Sequence, residues 1–207
     1  MKGKLVSITS LILLVIISLG VGYYFGQIRI SATSQFLQKQ KVLEKYSFEN
    51  LKYRQYPGGQ IIFDKLLKEE KLFRSFLFYF TSEGKRISGQ VNLPRNAELI
   101  GSDPLRGTDP LRRKHPVIVM LRGYIDKEKY KTGDGTRKVA AIFAQNGFIT
   151  LAPDFLGYGY SDAGDEDSMI ARFETYVTAI NILNSVGTLP QANTDWVFLW
   201  GHSNGGQ

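Results

Sequence analysis

The sequence predicts an α/β protein in which residues 71–207 form a doubly wound, mostly parallel sheet, and three observations carry that expectation. Residues 116–121 (PVIVML), 148–152 (FITLA) and 196–200 (WVFLW) are short, continuous apolar runs rich in β-branched and aromatic residues. Runs without polar alternation belong to strands covered on both faces. Between them lie two stretches of helical periodicity, 137–145 and 169–186, the first stopped by Asn146-Gly147. Strands alternating with helices through right-handed crossovers build a parallel sheet.

Taken in chain order, the first element is a membrane span. Lys2 and Lys4 precede an uncharged run, 5–27, that ends in Tyr23, Tyr24 and Phe25. About 20 apolar residues cross the hydrocarbon core as a helix, and aromatic residues suit its interfacial boundary. The expected arrangement is a cytoplasmic tail at 1–4, a retained anchor at 5–27 and the remaining domain outside. The alternative is a signal peptide whose removal would release the domain; Ser31-Ala32-Thr33 is the nearest approach to a small-residue cleavage site. Residues 28–70 then read as a stalk or linker with a short amphipathic helix at 34–46.

A β-hairpin follows, with strands at 77–81 and 87–93 and turn chemistry in Ser82-Glu83-Gly84-Lys85. Pro94, lacking an N–H, ends the second strand. Residues 95–115 are expected to form a polar surface insertion. It contains a short tandem repeat, Ser102-Asp103-Pro104-Leu105-Arg106 and Thr108-Asp109-Pro110-Leu111-Arg112. On the 169–186 helix, Ala171, Phe173, Tyr176, Val177, Ile180 and Leu183 can line one side. Asp165, Glu166 and Asp167 place negative charge at its N-terminus, where the helix dipole favours it.

Composition narrows the function. The 207 residues include no cysteine, which removes disulfides and thiolate metal sites from consideration. The net charge of +7 comes from scattered lysines and arginines, not from one basic face, so no nucleic-acid partner is expected. Asp162, Asp165 and Asp167 do not match the spacing of a calcium loop. Neither a metal nor a cofactor is expected, and the sequence does not specify an oligomeric state.

The chemistry lies at the end of the third apolar run, in Gly201-His202-Ser203-Asn204-Gly205-Gly206. G-x-S-x-G after a buried strand is a nucleophile elbow, in which a sharp turn from strand to helix lifts the serine hydroxyl clear of the sheet. Gly201 and Gly205 are glycines because side chains there would collide across the turn. Ser203 is the expected nucleophile. The backbone N–H of Asn204 is one expected oxyanion donor, and the N–H of Tyr124, with that of Gly123, is the other, from the loop after residues 116–121. A serine nucleophile also needs a histidine base oriented by a carboxylate. His115 precedes the first apolar run, and His202 is the variable elbow position, so neither is expected to serve.

With these motifs in place, residues from about 77 to 207 resemble an α/β-hydrolase of the prolyl-oligopeptidase (S9) and dienelactone-hydrolase-like group. The likeness rests on the Gly-His-Ser-Asn-Gly-Gly elbow, the hairpin with Gly84 at its turn, and Pro153-Asp154 followed by Gly157, Gly159 and Ser161. It implies an α/β-hydrolase-type sheet, here its N-terminal part, behind a transmembrane helix and a hairpin. It also implies a serine hydrolase that forms an acyl-Ser203 intermediate on a peptide or ester substrate, read first as an S9-like peptidase. The alternatives are a carboxylesterase of the dienelactone-hydrolase type and a non-catalytic membrane-anchored binding module with a relic elbow. In this group the triad order is Ser, then Asp or Glu, then His, and four residues follow Ser203, so the chain as given is expected to lack both partners and to be inactive alone. Arg122-Gly123 stands where many relatives have His-Gly, a departure that changes the side chains around the oxyanion loop.

Overall fold

The computed structural model describes residues 8–97 and 114–207, so the tandem repeat and most of the expected 95–115 insertion lie outside the described residues. The chain divides into two compact units, Met1–Arg54 and Gln55–Gln207.

In the first unit one helix, α1 (Ile8–Glu44), takes in most of the expected anchor and the expected 34–46 helix without a break. Its 37 residues extend about 55 Å at 1.5 Å per residue. Its apolar side chains from Leu11 to Ile30 are exposed, and it is long and apolar enough to cross a membrane. Ser18 and Thr33 return their hydroxyls to the carbonyls of Val15 and Arg29, which lets polar residues sit in an apolar helix without orphaned donors. Ser47 then caps α2 (Phe48–Tyr53), accepting from the N–H of Asn50 at 3.3 Å.

The second unit is built on six strands: β1 (Ile62–Glu69), β2 (Phe73–Ser82), β3 (Lys85–Pro94), β4 (His115–Leu121), β5 (Ile149–Pro153) and β6 (Ala192–Gly201). Helix α3 (Arg137–Gln145) connects β4 to β5, and α4 (Ser168–Ser185) leads towards β6. The strand order is β1-β2-β3-β5-β4-β6.

The sheet is mixed rather than mostly parallel. Only β4/β5 and β4/β6 pair in parallel; β1/β2, β2/β3 and β3/β5 are antiparallel. Hairpin connections, which need no crossover helix, build the first half, and β3 then lies antiparallel to β5. Strand β1 falls within the expected 28–70 stalk, and its sequence (IFDKLLKE) has no clean alternation. It is an edge strand, largely exposed, and register shifts at Phe63/Leu66 and Leu66/Lys68 break the period of two. The hairpin itself is longer than expected. Glu83 and Gly84 both have positive φ, 52° and 76°, the two-residue turn whose twist matches that of flanking strands.

The sheet buries apolar side chains on both faces. Phe78, Phe80, Ile87, Val119 and Leu151 pack with Ile182 and Val186 on the α4 side. A smaller cluster of Ile118, Met120, Ala140 and Ala152 lies on the α3 side. Helix α4 buries a different stripe from the expected one: Ile170, Val177, Thr178, Asn181, Ile182 and Ser185, so of the six predicted residues only Val177 is buried. Two polar members of that stripe find partners. Asn181 donates to Ser82 Oγ at 2.9 Å, and Ser185 Oγ donates to the Asn181 carbonyl while accepting from the N–H of Gly59. Asp167 caps the helix, accepting from the N–H groups of Met169 and Ile170. Strand β6 stands last in the strand order, and its Trp196 (61%), Phe198 (46%) and Leu199 (58%) are exposed.

Two truncations rank these contributions. Phe78→Ala, at a fully buried site, should cost about 3–5 kcal/mol in urea unfolding. Asp167→Ala, which removes the α4 cap, should cost about 1 kcal/mol.

Candidate active site

The site forms where β4 and β6 end side by side, with Leu121 in register with Gly201. His202 keeps an extended backbone and donates its N–H to the Leu121 carbonyl at 3.1 Å. Ser203 then turns to φ 53°, a left-handed conformation that costs a non-glycine residue about 1–3 kcal/mol. Residues Ser203–Gly206 coil into a short 3₁₀ turn, closed by the N–H of Gly205 donating to the His202 carbonyl at 2.9 Å.

Glycine is required at both flanks for a steric reason. A Cβ on Gly201 would run into the Gly205 carbonyl oxygen and lie 2.8 Å from Gly206 Cα. One on Gly205 would run into the Leu121 carbonyl oxygen and lie 2.7 Å from that of Arg122. The Ser203 side chain is exposed and makes no hydrogen bond among the described residues. Gly123 abuts it: a Cβ there would sit 3.0 Å from Ser203 Cβ and 3.2 Å from His202 Nδ1. The structure therefore brings Gly123, Ser203 and the elbow glycines together. Tyr124, 72% exposed, and Asn204 line one cavity of about 310 Å³ with Gly123, Phe155 and Arg172.

Arg122, noted in the sequence only as a departure from His-Gly, is buried beneath this loop. Its Nη1 donates to the Gly123 carbonyl at 2.9 Å and its Nη2 to the Asp154 carbonyl at 3.0 Å. The guanidinium lies 4.1 Å from the ring centre of Tyr158 and 4.5 Å from that of Tyr130. A planar cation stacked on aromatic faces is a role that lysine or histidine does not fill equally. In a trans peptide the carbonyl and the following N–H point oppositely. By holding the Gly123 carbonyl, Arg122 thus sets the direction of the Tyr124 N–H.

Asp154 gathers three other segments. Its carboxylate accepts from Ser88 Oγ at 2.5 Å, Tyr130 Oη at 2.7 Å and Thr132 Oγ1 at 2.8 Å, and the residue is fully buried. Burial, reinforced by the Asp154 carboxylate, holds the Tyr130 phenol well above its ordinary pKa. Partners 22 to 66 residues away in sequence leave no local signal, so sequence reasoning had no means of finding this network.

Of the two histidines, His115 is buried at the opposite end of β4, its Nδ1 2.8 Å from the Gly147 carbonyl oxygen. Six residues of strand put it about 20 Å from the elbow. The His202 ring stacks on Trp200 at 6.2 Å. The Asp162, Asp165 and Asp167 carboxylates accept from the N–H groups of Arg86, Asp167 and Met169 respectively, and among the described residues no group of three or more potential metal ligands gathers.

No protein-family model and no curated protein matches the sequence. Among solved structures, acetyl xylan esterase 1 from Thermoanaerobacterium sp. JW/SL YS485 is similar at 20% identity and a TM-score of 0.48, over 72% of this chain and 46% of that one. Est1E from Butyrivibrio proteoclasticus, solved with ferulic acid, is similar at 20% identity and a TM-score of 0.46, over 62% and 43%. The rice cell wall degrading esterase LipA from Xanthomonas oryzae follows at 16% identity and 0.41, over 74% and 44%. The chain thus spans less than half the length of each of these structures, and the likeness is partial.

Two substitutions probe this geometry. Gly205→Ala drives a methyl group into the β4 carbonyls and should destabilise the fold by about 2 kcal/mol or more. Tyr130→Phe tests the raised phenol. The folded-state pKa lies above the unfolded value, so the stabilisation is complete below about pH 10 and is lost as pH rises beyond it. The stability gap between wild type and Tyr130→Phe should therefore stay constant up to about pH 9 and narrow as pH rises through about 10 and beyond in urea titrations.

Proposed function

We propose that Ser203 is the nucleophile of a serine hydrolase that cleaves carboxylic esters through an acyl-enzyme. The observation that carries the proposal is the left-handed backbone of an exposed serine, φ 53°, closed between two sterically required glycines and against Gly123. In this reading Ser203 Oγ attacks the acyl carbon. The N–H groups of Asn204 and Tyr124, with that of Gly123, receive the developing oxyanion; removing one such donor typically costs about 10²–10³ in kcat. Gly201, His202 and Gly205 shape the turn.

The proton of Ser203 goes to a general base that neither His115 nor His202 supplies. The base and its orienting carboxylate are assigned to the complete gene product, in the order Ser, Asp, His that the resemblance implies. The S9-like peptidase reading rests on that resemblance alone. An ester is preferred on chemical grounds, because an alkoxide leaves with less demand on a general acid than an amine does. Helix α1 is proposed to anchor the protein, with the hydrolase domain on the outer side of the membrane.

A fluorophosphonate probe should label the complete gene product and not its Ser203→Ala variant; equal labelling of both would refute the nucleophile. Among matched chromogenic substrates, 4-nitrophenyl acetate should be hydrolysed and 4-nitroacetanilide left nearly untouched. Preference for the anilide would restore the peptidase. Absence of both labelling and turnover would support the non-catalytic module. Protease added to intact cells should digest the domain, whereas digestion only after lysis would place it inside.

A further inference from the structure

A second cavity, of about 770 Å³, lies on the α3 side of the sheet and shares no lining residue with the one beside Asn204. Its floor is unusual for a sheet interior. Register places Ser75 beside Asn92, Asn92 beside Thr150, and Gln90 beside Ala152, all on the face that α3 covers. Ser75, Gln90, Asn92 and Thr150 are all buried there, while Phe76, Val91 and Leu151 fill the opposite face of the same strands.

The hydrogen bonds on this floor are directional. Asn92 Oδ1 accepts from Ser75 Oγ at 2.6 Å and from Gln90 Nε2 at 2.9 Å. Two donors on one oxygen fix the orientation of the amide. Asn92 Nδ2 is thereby left without a protein partner, on a residue 1% exposed that lines the cavity. Buried donors are almost always satisfied, so an unpartnered one on a residue that lines a cavity calls for an oxygen acceptor; Thr150 Oγ1, beside Asn92 in register, is unpartnered as well.

The rim has a matching polarity. Lys68, Lys131 and Arg137 line it, and no carboxylate does. Lys68 is held by Glu70 at 2.5 Å and Arg137 by Asp134 at 2.9 Å. The Lys131 ammonium forms no ion pair among the described residues. Asp154 stands behind the wall, its carboxylate already occupied by Tyr130, Thr132 and Ser88. The rings of Tyr130 and Tyr160 supply apolar surface for a carbon skeleton.

We propose that this cavity binds a small hydroxylated organic anion, with one of its oxygens accepting from Asn92 Nδ2 at the floor and its carboxylate or phosphate meeting Lys131 at the rim. The site is independent of Ser203. Isothermal titration of the full chain in detergent micelles tests it, with gluconate, glucose 6-phosphate and neutral sorbitol as probes. Saturable binding of gluconate alone would assign a carboxylate ligand, and of glucose 6-phosphate alone a phosphate ester; either supports the proposal, as does binding of both. Lys131→Gln, at an exposed position, should weaken anion binding about fivefold without moving the unfolding midpoint. Asn92→Leu should weaken it at least as much, read beside its circular dichroism spectrum. Failure of both anions to bind, equal binding of sorbitol, or an unchanged affinity in Lys131→Gln would each overturn the proposal.

Discussion

The architecture around the candidate site depends on one steric constraint: the turn after β6 folds back so tightly that no Cβ fits at Gly201, against Gly205 and Gly206, or at Gly205, against the end of β4. With both positions reduced to backbone, the chain leaves β6, turns through His202 and closes on itself within one 3₁₀ turn. The left-handed φ of Ser203 follows from that closure. Strain at a single exposed serine is tolerated because two main-chain hydrogen bonds, from His202 to Leu121 and from Gly205 to His202, over-determine the turn.

The loop facing the elbow is held by a buried charge rather than by packing alone. Arg122 binds the carbonyls of Gly123 and Asp154 and is stacked on Tyr158 and Tyr130. Tyr130 in turn donates to the Asp154 carboxylate, which also ties Thr132 and Ser88. A guanidinium and a carboxylate within one small network leave few alternative arrangements, because any rearrangement strands a buried polar group. The 122–132 segment, β3 and the end of β5 are thereby joined through side chains, although no two of them are neighbours in sequence.

Two polar clusters in the sheet follow different rules. The one around Asp154 satisfies its carboxylate completely, which suits a structural role. The one around Asn92 leaves a donor open on a residue almost without solvent contact. The opposite face of the same sheet packs Phe76, Phe78, Val91 and Leu151, so neither reflects a generally polar sheet.

By itself the sequence determined the elements governed by local physics: the apolar N-terminal helix, the hairpin turned at Glu83-Gly84, the three apolar strands, and the G-x-S-x-G turn, whose glycines announce a close backbone approach. Only the tertiary structure decided how the strands pair. It made half of the sheet antiparallel and recruited β1, whose bulged, charged sequence hides its period. The stripe that α4 buries depends on what faces it, and polar Asn181 and Ser185 are accepted because Ser82 and Gly59 supply partners. The roles of Arg122, Asp154 and Asn92 were illegible for the same reason: each depends on atoms that folding brings together from distant parts of the chain.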